Sequence, residues 1–121
     1  MDELIDMLAS KAGIDRAVAE KTAGAILGFL RSEGPADKVQ ALIDKIPGAE
    51  AAITSAGTGG GFASLLGGGI MALGAKLMGF GLGTSDIQTI GRELFRYGRE
   101  KIGADGMSAI ISETPGLSRF A

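Results

Sequence analysis

Apolar side chains recur every three or four residues through the first third of the chain, which is the spacing of helices that bury one face. The first stretch runs from Asp2 to about Ala12 and ends at Gly13, a residue type that commonly terminates helices. The second opens at Asp15, a residue suited to the N-cap, and continues to about Glu33. The pattern therefore predicts two helices before a joint at Gly34-Pro35.

The same spacing predicts three helices elsewhere in the chain. One follows the joint and closes at Pro47-Gly48; its apolar positions are Val39, Leu42, Ile43 and Ile46. Another extends from about Thr84 to about Ile102; its inner stripe is Ile87, Ile90, Leu94, Gly98 and Ile102. The last runs from about Ala104 to Glu113 and ends before Pro115-Gly116.

The composition changes between residues 57 and 83, which hold 11 of the 21 glycines and Lys76 as their only charge. Residues 57–61 have the composition of a flexible connector. The triple glycine at 67–69 weakens any helix there, since each glycine costs about 1 kcal/mol relative to alanine. We therefore expect one more helix, from about Ile70 to Met78.

An internal repeat is visible when residues 31–48 are placed over residues 99–116. Seven of the eighteen positions are identical at this offset of 68. Both segments consist of the end of a long helix, a tight joint, a short helix and a Pro-Gly stop. The sequence therefore predicts a single all-α domain over residues 1–121, a compact bundle of about six helices. Its two three-helix units, about 1–56 and 62–121, would be related by a pseudo-two-fold axis.

The residue types that most often carry chemistry are missing, since the chain contains neither cysteine nor histidine. This removes the commonest general base, the commonest metal ligand and the most reactive nucleophile. The segment Gly79-Phe80-Gly81-Leu82-Gly83 matches neither a dinucleotide fingerprint nor a phosphate-binding loop. We expect a protein that is not an enzyme and that has no catalytic residues, cofactor or metal.

The charge balance disfavours nucleic acid as a partner, because the net charge is −2. Arg92, Arg96 and Arg99 form a basic stripe at i, i+4 and i+7 that could contact phosphates. Glu93 and Glu100 lie between them and are expected to pair with these arginines. We therefore interpret the stripe as a solvated helix face.

The apolar run over residues 62–82 is long enough to span a bilayer, but its triple glycine and Lys76 argue against insertion. We expect it to form a central buried helix or a surface for self-association. The candidate interaction residues are Phe62, Leu65, Leu66, Met71, Met78 and Phe80. The alternative is a membrane-surface protein that uses this segment on lipid. The acidic amphipathic start of the chain is unlike a secretory signal, which leads us to expect a cytoplasmic location.

Several segments together resemble a group of small alphaproteobacterial helical proteins of unknown function. They are the opening Met-Asp-Glu-Leu-Ile-Asp, the core at 23–30, the Gly34-Pro35 joint and the closing segment 115–120. The resemblance covers most of the chain and implies a bacterial, cytoplasmic, helical protein. Its motifs are structural, so it supplies no activity. The leading hypothesis is a helical module that works as a homo-oligomer or binds a protein partner.

Overall fold

Six α-helices account for most of residues 2–55 and 69–114, the parts of the chain that this computed structural model describes. In chain order they are α1 Asp2–Ala12, α2 Arg16–Glu33, α3 Ala36–Asp44, α4 Ala49–Ser55, α5 Gly69–Gly79 and α6 Thr84–Glu113. These ranges contain no strand, so the predicted all-α class is confirmed. The predicted connector at 57–61 and the predicted stop at Pro115-Gly116 lie outside the described residues.

Helix α2 lies at the centre of the bundle. Its residues 22–30 are all buried, and each of the other five helices contacts it. A helix enclosed on every side needs apolar or small side chains all round, which Ala23, Gly24 and Ala25 help to supply. The one buried hydroxyl of this helix, Thr22 Oγ1, donates a hydrogen bond of 2.7 Å to the carbonyl of Val18.

Helix α4 is an element that the sequence analysis did not predict. It crosses α2 so closely that a Cβ at Gly24 would lie 2.1 Å from the carbonyl oxygen of Ala52. Arg31 Nη1 on α2 also donates to both carboxylate oxygens of Glu50 on α4, each at 2.9 Å. Backbone contact and ion pair together fix this seven-residue helix along one face of α2.

The predicted break near residue 103 is present as a kink within α6. Gly103 adopts φ 86° and ψ 160°, a conformation that only glycine reaches without strain. The predicted helices at 84–102 and 104–113 are thus the two arms of a kinked α6. The second arm ends against α2, because a Cβ at Gly34 would lie 2.5 Å from Thr114 Oγ1.

The helix bounds repeat with the offset of 68 seen in the sequence. Shifting α1, α2 and α3 by 68 gives 70–80, 84–101 and 104–112, within a residue or two of α5 and of the two arms of α6. Contacts also run between the two units: α1 of the first unit packs against α6 of the second, and α5 of the second packs against α2 of the first. These bounds and contacts agree with the predicted duplication of a three-helix unit, which stays a prediction.

Candidate functional site

Helix α5 and the turn that follows it carry those candidate interaction residues that the structure describes. Its bounds, Gly69–Gly79, match the helix predicted from about Ile70 to Met78. Leu73 and Leu77, one turn apart, are buried in the shared core, and α5 packs against α2 and α6. The helix therefore lies on the bundle with one face covered and another open to solvent.

Met78 lies on the open face of α5 and is exposed over 58% of its surface. Among the described residues it is the one large apolar side chain that is exposed. Ala75 and Gly79, at i−3 and i+1 from Met78, are exposed as well. Small side chains beside a methionine leave room for another helix to approach closely.

The other candidate interaction residues fall into three groups. Phe80 is half-buried and packs against the core. It therefore contributes more to the packing beneath the exposed surface at Met78 than to that surface itself. Met71 belongs to α5, but its side chain is outside the described set. Phe62, Leu65 and Leu66 lie outside the described residues.

Lys76 is the only charged residue of α5 and is partly buried. Burial lowers the pKa of its ammonium group, because removal from water disfavours the charged form. The one charge of α5 is therefore a cation that is partly removed from water.

The ion pairs of the arginine stripe on α6 differ from those suggested by the sequence. Glu93 is only 7% exposed; its Oε2 lies 3.6 Å from Arg96 Nη1 and has no hydrogen-bond partner. Glu100 is exposed and forms no ion pair with any described residue, and the same holds for Arg92 and Arg99. Of the two pairings that the sequence suggested, Glu93 with Arg96 is present, and Glu100 pairs with no described arginine.

An open groove of about 520 Å³ lies between α1, α2 and the start of α4. Ile5 forms part of it, together with Arg16 and Glu20, which lie one turn apart on α2. Arg16 is ion-paired to Asp6 at this groove. Most of the remaining lining consists of small exposed residues, which offer little apolar contact to a ligand.

In the described ranges, no group of three or more His, Cys, Asp or Glu side chains is arranged to hold a metal ion. Within residues 2–55 and 69–114, no helix has both the length and the apolar character needed to cross a bilayer.

No family model, curated protein or solved structure matches the chain. The resemblance to small alphaproteobacterial proteins therefore stays a prediction.

Proposed function

We propose that the protein is a non-enzymatic helical module that associates with a second copy or with a protein partner through the open face of α5. The exposed side chain of Met78 carries this proposal. The described core buries Leu and Ile side chains from every helix, whereas Met78 extends away from it. Burying a methionine is worth about 1.5–3 kcal/mol, so Met78 is suited to the centre of an interface.

The chemistry around Met78 favours another helix as the occupant of this face. Ala75 and Gly79 offer a shallow surface on either side of it. Methionine adapts its shape to different partners, because its side chain is unbranched and its sulfur is polarisable.

The test is sedimentation velocity of the wild type and of Met78→Glu over a range of concentrations. We expect the wild type to form a defined oligomer and Met78→Glu to sediment as a monomer, because a charge at the interface centre would be buried unpaired. Ser10→Glu adds the same charge at an exposed position of α1 and is the control. A wild type that stays monomeric up to about 1 mM would contradict self-association.

A membrane-surface role is the second candidate, favoured by the single charge among the eleven residues of α5. Co-sedimentation with phosphatidylglycerol vesicles distinguishes the two. Our proposal expects no co-sedimentation of the wild type. Binding to vesicles that is lost in Met78→Glu and kept in Ser10→Glu would favour the lipid role instead.

A further inference from the structure

The exposed side of α6 presents three arginines in a row. Arg92, Arg96 and Arg99 are all exposed and lie at i, i+4 and i+7, over about 10 Å of helix. Neither Arg92 nor Arg99 has an ion-pair partner among the described residues, whereas Arg16 and Arg31 of α2 are both paired. We call these three side chains the arginine face.

The corresponding face of α2 is covered by α4. An offset of 68 places the arginine face over Gly24, Gly28 and Arg31. Gly24 touches the backbone of α4 at Ala52, and Arg31 holds the carboxylate of Glu50 at 2.9 Å. The molecule thus contains one example of a short helix lying on this face, fixed by an arginine–carboxylate pair.

The chain does not supply the same carboxylate for α6. The position 68 residues after Glu50 is Ser118, which has no charge to offer Arg99. Arg92 and Arg96 stand where α2 has glycines, so a helix on α6 cannot approach as closely as α4 approaches α2. The long side chains of Arg92 and Arg96 instead suit a helix whose carboxylates face their guanidinium groups.

We propose that the arginine face binds an acidic helix of a partner protein, which lies on α6 as α4 lies on α2 but at a greater distance from the backbone. The spacing of the arginines matches carboxylates at i, i+4 and i+7 on a facing helix. Nucleic acid fits less well, because the net charge of −2 repels a polyanion and three arginines neutralise about three phosphates. The proposal rests on the repeat at an offset of 68 and on the absence of ion-pair partners for Arg92 and Arg99 among the described residues. It does not depend on the interface proposed at Met78.

The experiment measures binding of a labelled, alanine-based helical peptide with glutamates at i, i+4 and i+7 to the full chain. The combined variant Arg92→Gln, Arg96→Gln and Arg99→Gln should weaken binding about tenfold or more, since three exposed ion pairs are lost. The control is Lys11→Gln, Lys21→Gln and Lys45→Gln, which removes the same charge from exposed positions elsewhere. It should bind like the wild type, and circular dichroism checks that both variants are folded.

Two further probes make the result specific. A peptide of the same composition with its glutamates distributed around the helix should bind more weakly, and duplex DNA should bind more weakly than the striped peptide. Equal losses in both triple variants, equal binding of the two peptides, tighter binding of DNA, or no binding of the striped peptide would each overturn the proposal. Met78→Glu should leave peptide binding unchanged, because Met78 lies outside the arginine face. The proposal for α5 can therefore fail without affecting this one.

Discussion

Gly24 of α2 and Ala52 of α4 are in backbone contact: a Cβ at Gly24 would lie 2.1 Å from the Ala52 carbonyl oxygen. A side chain there collides with rigid backbone, which cannot turn aside as a flexible side chain could. Glycine is therefore required at this crossing, although it weakens an isolated helix by about 1 kcal/mol relative to alanine. Together with the Arg31–Glu50 pair, this close approach fixes the position of α4 on α2.

Gly24→Ala should lower the free energy of unfolding by about 2 kcal/mol or more, because the overpacking cost exceeds the gain in helix propensity. Urea denaturation measures the change. Gly91→Ala is the matched control: Gly91 is also buried in a helix, but a Cβ there meets nothing within 4 Å. The control should be neutral or slightly stabilising. If both variants were equally stable, α4 would not lie on α2 as described.

Glu93→Met should stabilise the protein by about 1 kcal/mol or more. The buried Oε2 of Glu93 accepts no hydrogen bond, and its contact with Arg96 is long at 3.6 Å. The side chain of Arg96 is 60% exposed, so the substitution leaves no buried cation behind. Thermal and urea unfolding measure the effect, with Glu100→Met as the exposed control. A clear loss of stability in Glu93→Met would contradict this and would show that the buried carboxylate makes a stabilising contact.

The Arg31–Glu50 pair should make a pH-dependent contribution to stability. The hydrogen bond from Arg31 is the main cause that holds the pKa of Glu50 below its ordinary value of 4.5, and burial acts in the opposite direction. A carboxylate with a lowered pKa in the folded state stabilises that state above about pH 4.5, and this contribution is lost as the pH falls through the folded value.

The measurement compares the Tm of the wild type with that of Glu50→Gln at neutral pH and in acid. The variant should melt lower at neutral pH, and the difference should close in acid. Glu100, which has no ion pair with any described residue, gives the control Glu100→Gln, for which we expect no difference at either pH. A difference for Glu50→Gln that persisted in strong acid would show that its cause is not the charge.

Local signals in the sequence were enough for most of the helices. Asp15, the Gly34-Pro35 joint and Gly103 mark ends or breaks through backbone chemistry that acts over a few residues, and the structure has helix boundaries at each. Helix α4 could not be predicted in this way. Its seven residues are too few for a clear period, and it is held in place by Gly24 and Arg31, which are distant in sequence.

The candidate surfaces were harder to predict for the same reason. Met78 and Phe80 both occur in the apolar run, yet one is exposed and the other is half-buried on the core. Glu93 is charged, and its spacing placed it among the solvent positions of α6, but the packed helix buries it. In each case the outcome depends on which neighbouring helix lies next to the side chain, and hydrophobic periodicity within one helix does not encode that.

The central claim, that Met78 lies at an interface between molecules, is tested most directly by thiol labelling of a chain that has no cysteine of its own. Met78→Cys and Ser10→Cys each introduce one reactive group, and the rate of maleimide labelling is measured from about 1 µM to about 1 mM protein, a range that spans weak to moderate association. We predict that labelling of Met78→Cys slows as the concentration rises while labelling of Ser10→Cys does not. Equal, concentration-independent rates for both variants would contradict self-association through this face.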